Sequence, residues 1–259
     1  ECRRIFSRPR NKCGEGFTLL EMSVVLVIIA LIMASGVVMV PKLLEKRQYE
    51  ITRTKLEFIK KTLMDYRRAY NRLPCPASLT LALSSGNSGT EAATPGTCTG
   101  GTPAANFSGN GVVSGAVPVR TLNISPDYLI DGWSRRIFYS VDVRYTETEA
   151  FTSYGSDTEG AISLRYINSS TVPTINTPVF ALVSAGADGH GAYPKAGGTN
   201  TVNTENVNTG QSANAFLAGA GSYGRVYNGA ITESPTSTLN IFDDVVVVAA
   251  RRDLRRAND

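Results

Sequence analysis

The chain has 259 residues and 42% hydrophobic content, enough for one sizeable globular domain beyond any anchor. Its net charge of +4 is local: residues 1–16 carry Arg3, Arg4, Arg8, Arg10 and Lys12 against Glu1 and Glu15, and the rest is nearly neutral. That distribution argues against a nucleic-acid partner, and a single histidine (His190) with no G-x-S-x-G elbow, phosphate-cradling loop or zinc motif argues against an enzyme.

Residues 1–16 read as a basic leader. The chain opens on Glu1, not Met, which leaves its true start open. An apolar run follows. From Met22 to Val40 only Ser23, Ser35 and Gly36 are not strongly apolar. At about 1.5 Å per residue this is roughly 28 Å of helix, close to the ~30 Å hydrocarbon thickness of a bilayer. One acid, Glu21, sits near its start. An ionisable group in such a segment is costly and therefore a functional candidate. Length and acid placement fit a membrane anchor. A cleaved secretory signal also fits, with Ala34-Ser35-Gly36 as the small-residue site.

Gly16 followed by Phe17-Thr18-Leu19-Leu20-Glu21 and an unbroken apolar helix resembles the processing signal of type IV pilins and type II secretion pseudopilins. That pattern has a Gly before the cut, an aromatic after it and Glu at the fifth mature position. The resemblance implies cleavage after Gly16 by a prepilin peptidase that also methylates the new amino terminus of Phe17. It further implies that residues 17–40 are kept as a transmembrane and filament-core helix. The basic leader then stays in the cytoplasm and everything after Val40 lies outside, as the positive-inside rule requires. Cys2 and Cys13 would remain reduced, and Cys13 lacks the preceding apolar residues of a lipidated cysteine. Cys75 and Cys98 would meet an oxidising envelope compartment. Pairing them closes a loop of about 24 residues, worth about 3 kcal/mol in loop-closure entropy. Metal binding is the poorer reading, since neither sits in a CxxC or beside paired histidines.

Gly36 and Pro41 predict a kink or loosened turn, not a stop. Residues 41–70 read as an amphipathic helical stem. Leu56, Ile59, Leu63, Tyr66 and Tyr70 make one face, and Lys55, Lys61, Asp65 and Arg68 the other. Leu73-Pro74-Cys75-Pro76 ends it. Residues 71–127 read as a loop region bearing the disulfide. The stretch 78–118, rich in Ser, Gly, Thr and Ala, is expected to be a long surface loop or disordered.

Residues 128–259 read as a sheet head. Ile137 to Val143 and Ile162 to Tyr166 alternate, while Pro178–Ser184 and Val245–Ala249 are continuous apolar runs suited to central strands. Without helices between them, an antiparallel sheet packed on the Leu56–Tyr70 face is expected: an α+β, pilin-like fold. Glu147, Glu149, Asp157 and Glu159 read as solvated surface, and the tail RRDLRRAND as a solvated charge run.

YNRLP at Tyr70–Pro74, Asp131-Gly132-Trp133, and Ser184-Ala185-Gly186-Ala187-Asp188-Gly189 resemble the major pseudopilin of type II secretion. In that family a loop after S-x-G-x-D-G holds calcium through backbone carbonyls and two aspartates. Asp188 matches the first, but the next acid here is Glu205. Calcium takes six to eight oxygens, so one carboxylate with carbonyls would bind it weakly. The alternative is a Gly-rich turn in which Asp188 caps the backbone. Trp133 reads as core.

The resemblance implies an inner-membrane, single-pass precursor with a periplasmic head. Its expected partners are copies of itself, other pilins or pseudopilins, the prepilin peptidase/N-methyltransferase and an inner-membrane assembly platform. In a helical homopolymer the Glu21 carboxylate would neutralise the Phe17 amine of a neighbouring subunit. The rival reading is an anchored envelope binding protein or adhesin that never polymerises.

Overall fold

The computed structural model describes residues 17–36, 39–92, 94–96, 98, 111–154, 160–166, 178–187, 189, 192–198, 225–228 and 245–254, with backbone alone at 34–36, 39–41, 163–166 and 225–228. The chain forms two compact units, Glu1–Leu44 and Glu45–Asp259. Helix α1 spans Leu19–Gly36 and helix α2 spans Met39–Tyr70. The step between them, where a kink is expected, lies outside the described residues.

In the second unit, α2 buries Thr52, Leu56, Ile59 and Leu63 completely and Tyr66 nearly so. These recur every three or four residues, as one helical face demands. Tyr70 does not join them: it is 61% exposed and leans on Tyr66, ring centroids 4.4 Å apart. The helix stops before the prolines do their work. Asn71 takes the left-handed conformation (φ 55°), and its N–H closes on Arg67 O at 2.8 Å, a C-terminal cap for which Asn is suited. Lys55 departs from its expected place on the solvated side. Its ammonium donates to the carbonyls of Asp127 (2.9 Å) and Ile130 (2.8 Å), and burial pushes its pKa down.

The described strands are β1 (Val112–Ala116), β2 (Phe138–Asp142), β3 (Ser163–Tyr166), β4 (Pro178–Ser184), β5 (Arg225–Asn228) and β6 (Val245–Ala250). Among the described residues, four form an antiparallel sheet in the order β1-β2-β4-β6. The buried α2 face belongs to one core cluster with Phe138, Tyr139 and Val141 of β2 and Val179 to Val183 of β4. The Tyr139 hydroxyl, wholly buried, donates to Pro74 O at 3.1 Å and so ties the sheet to the chain leaving α2. The fold class is α+β, as expected.

Several expectations are corrected. The stretch 78–118 is not simply a surface loop, because β1 lies in it and Leu79, Ala92 and Cys98 are buried, as is Ala77 just before it. Sequence hides β1 because its residues are VVSGA, with few large side chains. The small residues have a reason. Ala77 and Ala116 exchange backbone hydrogen bonds of 2.8 and 2.7 Å, covering the Ala116 end of the outer edge of β1, which shortens the exposed strand edge. A Cβ on Gly115 would lie 2.4 Å from Ala77 O, so only glycine permits that approach.

β3 leaves the antiparallel sheet and pairs with β5 in parallel. Among the described residues the valine run of β6 is not central: it stands at the end of the strand order and its burial alternates. The charged tail is not wholly solvated. Arg251 and Leu254 are buried, and the Arg251 guanidinium donates to Phe151 O (3.0 Å) and Tyr154 O (3.3 Å) while lying 4.4 Å over the Phe151 ring. Glu147 is half-buried and accepts from the Tyr154 hydroxyl at 2.9 Å.

Candidate functional site

The amino-terminal stretch begins, among the described residues, at Phe17; Gly16 lies outside them. Phe17 is 74% exposed. Thr18 starts α1: its Oγ1 accepts from the Glu21 N–H at 3.2 Å and its carbonyl accepts from Met22 N–H at 3.1 Å. Thr18-x-x-Glu21 is thus the spacing of a capping box, in which a threonine and a glutamate three residues on serve the free N–H groups of the first turn. An acid in that turn also complements the helix dipole. This cap escaped the reading of the motif, although the T-x-x-E signal is plain in the sequence.

Beyond Glu21 the helix has no polar face. Every large apolar side chain described from Leu19 to Met33 is exposed, including those at Met22, Val25, Ile29 and Ile32. An apolar helix exposed all round is a surface that lipid or other apolar helices must cover. Among the described residues no helix is long and apolar enough to cross a membrane. Side chains of α1 are described only to Met33, whereas the apolar run in the sequence continues to Val40.

In the head, Asp131-Gly132-Trp133 forms a tight turn seated on α2. Gly132 N–H donates to Thr52 Oγ1 at 2.9 Å, and a Cβ on Gly132 would meet Gln48 O at 2.4 Å. Trp133 is partly buried against the core, as the sequence suggests. Asp131 is buried and organises the turn. Its Oδ1 accepts from the N–H groups of Trp133 and Arg135, both at 2.9 Å, and its Oδ2 accepts from the Ser184 hydroxyl at 2.6 Å. Burial pushes the Asp131 carboxyl pKa up, against the pull of those three bonds.

A raised folded pKa means that the stabilisation is complete below the unfolded value and is lost as pH rises through the folded one. Asp131→Asn should abolish that pH dependence and cost little, since an amide can still accept at one atom and meet Ser184 at the other. Asp131→Ala should cost roughly 2–4 kcal/mol by orphaning buried donors. Urea unfolding of both variants across the carboxylate range checks this; equal pH dependence in the Asp131→Asn variant and the unmutated protein would refute it.

Arg135 extends the turn to the loop after β4. Its Nη1 donates to Gly186 O at 2.5 Å and its Nη2 to Ala187 O at 3.0 Å. Arg136, buried completely, donates from Nε to Pro194 O (3.3 Å) and from Nη2 to Lys195 O (3.3 Å) and Leu81 O. The proposed metal ligands Asp188 and Glu205, and His190 beside them, lie outside the described residues. The sequence singles out Ser184 in its motif but not its bond to Asp131, and it hides both arginines, because a guanidinium that binds main-chain carbonyls needs no particular residue opposite it.

Cys75 and Cys98 are joined in a disulfide, Cα atoms 5.4 Å apart, with both residues buried. Beside it, Glu91 takes a two-pronged ion pair from Arg72 (2.9 and 3.0 Å) and accepts from Cys75 N–H at 3.0 Å. Cys2 and Cys13 lie outside the described residues.

Residues 12–37 match the family model of the prokaryotic N-terminal methylation motif. That motif is the hallmark of the prepilin-type signal of type IV pilins and pseudopilins, and it supports a pilin-like or pseudopilin precursor. No curated protein and no solved structure matches the chain.

Proposed function

We propose that this chain is the precursor of a pilin-like filament subunit, a structural protein of a type II secretion pseudopilus or a type IV pilus. The observation that carries the reading is the methylation motif at residues 12–37, together with the exposed large apolar side chains of α1 from Leu19 to Met33. A prepilin peptidase removes residues 1–16 and methylates Phe17. The precursor waits in the inner membrane with its leader in the cytoplasm and its head in the periplasm. An assembly platform then lifts it into a helical homopolymer, alone or with related subunits. Physical chemistry favours both states, because such a helix is stable in lipid and equally stable bundled with copies of itself. Glu21 meets the Phe17 amine of a neighbour, which makes burial of both charges tolerable.

The mature amino terminus is then Phe17 carrying one methyl group. Intact-mass measurement on membrane-extracted protein should show the loss of residues 1–16 and the added methyl. A mature chain beginning at Val37 would mean cleavage by an ordinary signal peptidase and would end the filament reading. An uncleaved chain that never enters filaments would favour the anchored binding protein.

A further inference from the structure

We propose that the Arg135 guanidinium is the cation that orders the loop after β4, at the position where the resemblance to the major pseudopilin implies calcium. The loop's carbonyls settle what it can hold. Those of Gly186 and Ala187 both accept from Arg135, at 2.5 and 3.0 Å. The chain closes tightly over that side chain: Gly189 has φ +69°, and a Cβ there would lie 1.9 Å from the Arg135 Cζ. The base of the arginine is fixed as well, since its N–H donates to Asp131 Oδ1 at 2.9 Å and its carbonyl accepts from Asp131 N–H at 2.8 Å. The described part of the loop is therefore moulded around a guanidinium whose backbone is anchored in the Asp131 turn.

Calcium does not fit the same place. It needs six to eight oxygens at about 2.3–2.6 Å. Two carbonyls of this loop are already directed at a fixed positive charge that no accessible pH removes. A divalent ion using them would sit against that charge. Arg136 repeats the arrangement one residue on, with the carbonyls of Leu81, Pro194 and Lys195 around it. Two successive arginines thus hold the segments 186–187 and 194–195 through main-chain carbonyls. The inference concerns the head alone and stands whether or not the chain polymerises.

The test is thermal unfolding of the full-length protein in detergent, followed by the fluorescence of Trp133, the single tryptophan, which sits in the same turn. The Tm of unmutated protein should be the same in calcium chloride and in EGTA. Arg135→Ala should lower Tm by roughly 5–10 °C in both conditions, through loss of two charge-assisted hydrogen bonds. Arg135→Lys, which keeps the charge but not the fork, should fall between, and serves if the alanine variant does not fold. A Tm of unmutated protein that rises with calcium and falls back in EGTA would overturn the proposal. So would an Arg135→Ala variant as stable as the parent.

Discussion

Glu21→Gln should leave leader cleavage and membrane insertion largely intact yet reduce incorporation into filaments about tenfold or more. The choice of glutamine separates two roles that meet on one residue. Glu21 lies in the first turn of α1, where its N–H is held by Thr18. If the side chain serves only the capping box, glutamine serves as well, because either residue completes it. If the carboxylate neutralises the amine of Phe17 on a neighbour, glutamine fails, because the amine is left buried and unpaired. That penalty is several kcal/mol, and about 1.4 kcal/mol already changes an equilibrium tenfold.

In the membrane-bound precursor proposed above, the carboxylate would lie about 6 Å along the helix from Phe17, near the interface and within reach of water, so insertion would make no such demand. Glu21→Ala and Glu21→Leu should behave like glutamine in filaments. Thr18→Val, which removes the cap but keeps the charge, should have much the smaller effect, on the order of 1 kcal/mol. Blotting sheared filaments against the membrane pool reads all four variants. Normal filament yield from Glu21→Gln would sink the charge-pairing role and leave Glu21 as a helix cap.

Local signals in the sequence reached as far as local physics does. The α2 face from Leu56 to Tyr66 was legible because a helix repeats its neighbours every three or four residues, and that period survives in the sequence. Strands β2 and β4 were legible because their apolar residues are large. β1 was not, since the close approach of Ala77 forces Gly115 and its small neighbours, and such composition reads as loop. The parallel pairing of β3 with β5 joins segments 62 residues apart at Ser163 and Arg225, and nothing in either names the other. The buried arginines were illegible for a related reason. Arg251 reads as part of a charged tail, but its fork finds two carbonyls and an aromatic face nearly a hundred residues back. In contrast, the amino-terminal motif is contiguous, and its match over residues 12–37 was readable in the sequence.

Reducing the Cys75–Cys98 disulfide should lower stability by about 3 kcal/mol and Tm by roughly 6–12 °C. The main effect falls on the unfolded chain, which regains the freedom of the loop that the bond closes. The folded contacts of that loop remain: Arg72 still pairs with Glu91, Glu91 N–H still donates to Thr121 Oγ1 at 2.9 Å, and Ala77 still bridges to Ala116. The reduced protein should therefore stay folded but melt earlier. Cys98 adds a backbone contribution, because it holds φ +50°, a conformation that glycine adopts freely and other residues resist by roughly 1 kcal/mol. Without the crosslink, Cys75→Ala/Cys98→Gly should accordingly be somewhat more stable than Cys75→Ala/Cys98→Ala, which in turn should match reduced protein. Melting curves with and without reductant, with thiols counted in parallel, test the whole chain of reasoning. Two free thiols in protein taken from an oxidising envelope would remove its premise, and an unchanged Tm after verified reduction would remove its conclusion.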